Sequence, residues 1–402
     1  EAFQREANPN EWASLHSNLG TVMVKRIKGL RVQNIEQAIQ HYNLAQDVYI
    51  RETFPSDWAM THVNLGIAHR NRIKGERTEN LQIALHHYES ALEVYTQETN
   101  PERWATIHMN IASVYADMSG GNPEENLEKS IHCSEQALLV FAPNTYRDNW
   151  AALMNNLATS YLERSKGDEA QNLEYAIQYC QQAWSIYTRE NYPEFWAMVA
   201  SNLADGFSDR IHGDREENLD RAIGLYSQAM EVYTRDDYPL DWAMTQNNLA
   251  GAYAFREKGG REKNICSAQN HYDLSLSVLT KEYFPAHFRD TQRNRGHMFF
   301  DARQWKHAIE AYLAAIEVGD NLLHIAYSET GRRVEVGETY ILYVNAAYCH
   351  LQLNQLEQAL LYLERGKTRL LAESLALAEV DLAQLSEKQQ EALINARQKA
   401  KE

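Results

Sequence analysis

Between Phe54 and Tyr95 the apolar positions recur at helical spacing. Trp58, Thr61 or Leu65, Ala68 and Ile73 mark one face of a first segment. Ala84, Leu85, Tyr88, Ala91, Leu92 and Tyr95 form the stripe of a second. Pro55 falls at the first helical position, where a missing N–H costs nothing. Asp57 lies in the first turn and suits the positive helix end. Gly75 can take the left-handed conformation that closes a helix, and Asn80 reads as the cap of the next one. No segment alternates with period two over a useful length, so the pattern predicts helices and no sheet.

The same pair of helices returns along the chain. Trp12, Trp58, Trp104, Trp150, Trp196 and Trp242 are each 46 residues apart, with Phe288 in the seventh place. Gly29, Gly75, Gly121, Gly167, Gly213 and Gly259 keep the same step. So do Asn18, Asn64, Asn110, Asn156, Asn202, Asn248 and Asn294, and a second series of Asn34, Asn80, Asn126, Asn172, Asn218 and Asn264. Four series in one register mark a repeat architecture, which grows as one stack.

Small residues occupy the packing positions. Gly66, Ala112, Ala158, Ala204 and Ala250 sit on first helices, and Ala38, Ala84, Ser130, Ala176 and Ala222 on second helices. Ala45, Ala91, Ala137, Ala183 and Ala229 follow two turns later. Such side chains let helix axes approach to about 8–10 Å, and the Trp and Tyr side chains are expected to fill the spaces between units. If Trp150 is buried, Trp150→Ala should cost roughly 3–5 kcal/mol.

This order of small and aromatic positions resembles the tetratricopeptide repeat. In that family the first Gly/Ala and the next Ala stand about 12 residues apart. Here Gly20 and Ala38 are 18 apart, which adds a charged loop such as Arg72–Arg77. The last two units lack the insertion, since Gly296 to Ala308 and Ala347 to Ala359 are each 12. The resemblance implies an all-α, right-handed superhelical solenoid of about eight helix pairs, six with the 46-residue period. The expected organisation is residues 1–8 as the end of a preceding helix or cap, 9–285 as six long units, 286–377 as two shorter units, and 378–402 as a polar helical linker. Ala2–Glu6 aligns with Val48–Glu52, so the chain is expected to open in the middle of a second helix.

Residues 345–377, above all Leu363-Glu364-Arg365-Gly366-Lys367 and Arg369-Leu370-Leu371, resemble the junction between such repeats and a CHAT domain in bacterial TPR–CHAT proteins. That resemblance implies a caspase-like cysteine peptidase domain with a His/Cys pair beyond the array, and association of some members with protein effector complexes. Ser386 and Gln389 are spaced as a capping box.

Composition narrows the partners. A net charge of −16 repels phosphate backbones and argues against direct nucleic-acid binding. No run of 18 apolar residues occurs, so no membrane span is expected. The four cysteines, Cys133, Cys180, Cys266 and Cys349, are scattered, which fits a reducing cytoplasm and argues against structural zinc. Cys133, Cys180 and Cys266 lie beside apolar stripes and read as buried thiols. Cys349 and His350 are adjacent on a helix and do not face each other, so no catalytic dyad is expected. No cofactor, metal or catalytic centre is predicted, and His16, His62 and His108 lack metal-ligand spacing.

The candidate site is the first asparagine ladder. Asn18, Asn64, Asn110, Asn156, Asn202, Asn248 and Asn294 precede the small residue of each first helix by two, and Asn345 matches in the eighth unit. Asn155-Asn156-Leu157-Ala158 and Asn247-Asn248-Leu249-Ala250 resemble the N-N-L-A element of the kinesin light chain, which implies a peptide held in a concave groove. A carboxamide offers donor and acceptor together and can pair with a peptide group whatever its sequence. The alternative is a bond to the neighbouring unit that only fixes the stack. Met60, Met109, Met198, Met244 and Asn155 read as groove neighbours, the methionines equally as gap-fillers, and Asp117, Glu163, Asp205 and Asp209 as a negative segment or a solvated face. Arg26, Arg72, Arg164, Arg210 and Arg256 read either as a basic stripe or as salt bridges between units. The expected function is partner recognition by the array of a TPR–CHAT type protein, or else a stand-alone peptide or cargo adaptor.

Overall fold

A computed structural model describes residues 5–26, 28–118, 122–325 and 329–377. Gly121 of the glycine series, Ala2–Gln4 and the expected linker at 378–402 lie outside the described residues. All the regular structure described is helical, and the chain divides into two compact units, residues 1–232 and 233–402.

The first unit holds five helix pairs: α1 (Pro9–Lys25) with α2 (Arg31–Gln46), α3 (Pro55–Arg70) with α4 (Arg77–Leu92), α5 (Pro101–Ala116) with α6 (Pro123–Leu138), α7 (Arg147–Glu163) with α8 (Glu169–Trp184), and α9 (Pro193–Asp209) with α10 (Arg215–Ala229). Each second helix packs on the first helix of the next pair. Neighbouring first helices also touch, while neighbouring second helices make no comparable contact. The first helices of this unit therefore form its inner layer.

The second unit holds α11 (Pro239–Phe255) with α12 (Arg261–Leu276), α13 (Pro285–Asp301) with α14 (Trp305–Ile325), and α15 (Glu329–Gln352) with α16 (Leu356–Leu377). Its last two pairs turn in a few residues. There Arg303 and Asn354 take the left-handed conformation, at φ 55° and 59°, that glycine supplies in the long loops.

Local chemistry sets the boundaries. Proline at the start of α1, α3, α5, α9, α11 and α13 presets φ where no intrahelical N–H bond is possible. Gly75 closes its loop at φ 85°. Helix α3 ends at Arg70, so Ile73 belongs to the loop and is exposed. The apolar stripe predicted there is thus one turn too long. The second asparagine series does not cap either. Asn80 is already inside α4, and the side-chain caps found among the described residues are Asn122, Asp168 and Asp214 at helices α6, α8 and α10.

The small residues are buried as expected, with Ala38, Ala84, Ser130, Ala176 and Ala222 wholly inaccessible. The tryptophans are less so. Trp196 is buried, whereas Trp12, Trp58, Trp104, Trp150 and Trp242 are half-buried. The Arg51 guanidinium lies 5.8 Å from the Trp58 ring while pairing with Glu93. The fully buried aromatics are mostly tyrosines instead: Tyr42, Tyr88, Tyr95, Tyr226, Tyr272 and Tyr312, along with Phe299. Arg5–Ala7 form a turn, as Arg51–Thr53 do after α2.

Candidate functional site

The ladder asparagines project from first helices, two residues before the small packing position. Asn18 is exposed, Asn155 is buried, and Asn64, Asn110, Asn156, Asn202, Asn247, Asn248, Asn294 and Asn345 are half-buried. The rungs are not equivalent. Asn202 Nδ2 donates to Asn155 Oδ1 at 2.9 Å, and Asn294 Nδ2 to Asn247 Oδ1 at 3.4 Å. Asn156 Nδ2 donates to Ser113 Oγ at 3.4 Å, and Asn345 Nδ2 lies 3.5 Å from His297 Nε2. Each of these partners sits on the preceding first helix. The two Asn-Asn doublets thus have an internal use, because Asn155 and Asn247 serve as acceptors for the next unit.

Asn18, Asn64 and Asn110 make no such bond among the described residues. For Asn110 the reason is visible. Val63 stands where Asn155 stands opposite Asn202, and it offers no acceptor. The first three rungs therefore present free carboxamides on the inner layer of the first unit, while Asn156, Asn202, Asn294 and Asn345 each engage the preceding first helix.

Flanking groups refine the picture. Asp117 accepts from Arg70 Nε at 3.0 Å and Arg77 Nη2 at 2.9 Å, so its charge is neutralised by the preceding pair. Asp205 accepts from the buried Tyr226 hydroxyl. Solvent reaches Glu163 and Asp209, yet desolvation by surrounding atoms pushes both carboxyl pKa values up. That combination belongs to a recess. Met60, Met109 and Met198 are half-buried, and Met244 is exposed.

The arginine series forms bridges between units. Arg72, Arg164 and Arg210 grip Glu36, Glu128 and Glu174 of the preceding second helix with Nε···Oε1 distances of 2.6, 2.6 and 2.7 Å, and a second bond from Nη2 completes each fork. These bonds hold all three glutamates below the usual carboxylate range. The stripe reading does not apply to these three.

The second asparagine series staples the loops. Asn172 Nδ2 donates to the Arg164 carbonyl at 3.1 Å and the Lys166 carbonyl at 3.0 Å, and Asn34 and Asn264 repeat this geometry.

Sequence reasoning missed the partners of the histidines. His16 Nδ1 faces His41 Nδ1 at 2.8 Å, and His62 Nδ1 faces His87 Nδ1 at 3.1 Å, with the His69 ring 5.5 Å from that of His87. Burial lowers His62 and His69 to about 4 and His87 to about 3. The fixed spacing of 25 residues between partners was the available signal. No group of three or more metal-ligating side chains is found among the described residues. No described helix is long and apolar enough to cross a membrane.

Cysteine chemistry is quiet. Burial pushes the Cys133 thiol up to about 11 and the Cys349 thiol up to about 12. Cys266 is exposed, contrary to the expectation from its place beside the stripe. His350 Nδ1 bonds to Gln355 at 2.7 Å, and its ring stacks on Tyr362.

No protein-family model and no curated protein matches the sequence. Solved structures do. The chain is similar to a Rap protein complexed with Competence and Sporulation Factor, at 12% identity and a TM-score of 0.53, over 91% of this chain and 99% of that one. It is also similar to a STAND signal-transduction ATPase with a tetratricopeptide repeat sensor from Pyrococcus horikoshii, at 13% identity and a TM-score of 0.51, over 95% of this chain and 55% of that one. The fold is that of an all-helical tetratricopeptide-type repeat array.

Proposed function

We propose that this chain is a protein-interaction scaffold whose inner layer of first helices receives a protein or peptide partner. The observation that carries the reading is the row of unbonded carboxamides at Asn18, Asn64 and Asn110, beside the chained rungs Asn156, Asn202, Asn247, Asn294 and Asn345. A half-buried amide with no internal partner has a donor and an acceptor to offer an extended backbone. The acidic net charge leaves phosphate-bearing partners disfavoured. The Rap protein, a structural neighbour, is complexed with Competence and Sporulation Factor, and the second neighbour carries its repeats as a sensor.

The test uses partners captured on the wild-type array and measured by titration. Asn64→Ala plus Asn110→Ala should weaken binding while leaving thermal melting unchanged, because neither amide supports the fold. Full retention of affinity would remove the ladder from the site.

The finer reading is a recognition and regulatory array of TPR–CHAT type. It rests on the likeness of Leu363–Leu371 to that junction. Partner binding that favours one curvature of the stack would shift its terminal pairs against an effector domain. The competing reading is a stand-alone peptide or cargo adaptor in the cytoplasm. Reading the native gene past Glu402 separates them: an α/β-patterned His and Cys region supports the first, and a stop codon supports the second.

A further inference from the structure

One unit departs from its siblings on a single face. On second helices, the position held by Gln40, His86, His132, Gln178 and Asn270 is Gly224 in α10. Glycine inside a helix costs roughly 0.5–1 kcal/mol relative to alanine. No close approach explains it, since a Cβ built on Gly224 would meet nothing within 4 Å. Nor does it have the positive φ of the loop glycines.

Two neighbours change with it. Trp184 stands where other second helices carry Gln46, Leu92, Leu138, Met230 and Leu276. Leu225 stands where they carry His41, His87, Cys133, Tyr179 and His271. The loss of one long polar side chain and the gain of an indole wall open a cavity of about 420 Å³ between α8 and α10, floored by Leu203 and Phe207 of α9. Its volume falls among small-molecule sites, roughly 300–1,000 Å³. The Trp184 ring is braced edge-on by Trp196 at 6.1 Å, so the wall is held in place. The Arg210 and Arg221 guanidiniums lie 5.7 and 5.5 Å from the Phe207 ring, and Glu217 holds Arg221 at 2.7 Å. Gln181 and Gln228 stand at the rim.

We propose that this cavity is a binding site for a flat aromatic group, on a face that the asparagine ladder does not share. The half-buried Trp184 ring offers a face to such a ring, and the nearly buried Leu203, Phe207 and Leu225 form the bottom beneath it; aromatic rings pack well edge-on or offset. The rim carboxamides suit a polar attachment point. A free small molecule and an aromatic side chain of a peptide share this chemistry.

Ligand-observed NMR on the full chain, with indole and with N-acetyltryptophanamide as probes, tests it. Indole should bind saturably. Gly224→Gln, which copies Gln178, should weaken binding by roughly tenfold or more while the protein melts no lower than wild type. Trp184→Leu, which copies Leu138, should weaken it in the same direction. Binding of indole alone assigns the site to a free molecule, and binding of both probes admits a peptide-borne ring. Absence of saturable indole binding, or equal binding by wild type and both variants, overturns the proposal.

Discussion

The phenol ring of Tyr88 fills the space that a side chain on Gly66 would need. A Cβ there would lie 2.5 Å from the ring. Gly20 with Tyr42 and Gly296 with Tyr312 repeat the contact at 2.6 Å. Where the first helix carries Ala112 or Ala158, the opposite residue shrinks to Ser134 or Cys180. Ala204 and Ala250 still face tyrosines, Tyr226 and Tyr272, and Tyr226 is tied to Asp205. In the Gly20, Gly66 and Gly296 pairs the ring occupies the place of a methyl group.

Gly66→Ala should therefore destabilise by about 1–3 kcal/mol through overpacking, despite the gain in helix propensity. In a Tyr88→Ser background the same change should become neutral or stabilising. A double-mutant cycle by urea denaturation measures the difference. Equal effects in both backgrounds would show that the contact is not limiting.

The two asparagine series should differ in cost. Asn172 is 3% exposed and supplies the donor for two loop carbonyls, so Asn172→Ala should cost about 1–3 kcal/mol. Asn202 is half-buried with one good bond at 2.9 Å, so Asn202→Ala should cost about 0.5–1.5 kcal/mol. Chemical denaturation of both variants decides it, and a reversed order would contradict the assignment of roles.

The bridge from Arg164 to Glu128 should make stability depend on pH. The hydrogen bond from Arg164 depresses the Glu128 pKa in the fold. Its stabilisation is complete above the unfolded carboxylate value of 4.5 and is lost as pH falls through the depressed folded value. The side chains are 21% and 29% exposed, so solvent screening limits the effect of Glu128→Gln to about 1 kcal/mol at neutral pH. Thermal melts at descending pH should show wild type and variant converging in acid.

The histidine group around His87 works with the same sign and in a higher window. Burial lowers His62 and His69 to about 4 and His87 to about 3, against 6.5 when free. The unfolded chain binds more protons between those limits, so stability is full above 6.5 and falls as pH drops toward 3. His87→Leu, which copies Leu225, should flatten the decline of melting temperature over that range. An unchanged slope would mean that these rings are not desolvated.

Much of this protein was determined by sequence alone, because its causes are local. Proline fixes φ at helix starts, Gly29, Gly75, Gly167, Gly213 and Gly259 supply the left-handed turn, and a 46-residue step of tryptophan, glycine and asparagine sets the period. Tertiary structure decided what each polar group does. Asn80 looked like a cap and is a loop staple, because the Lys74 carbonyl it meets belongs to a turn that folds back on it. Asn202 and Asn110 are identical in sequence position, yet one is bonded and the other free, since their neighbours are Asn155 and Val63. Partners that lie 25, 36 or 47 residues away are brought together only when helices stack. Hydrogen bonds, desolvation and the space left by Gly224 exist only in that stack.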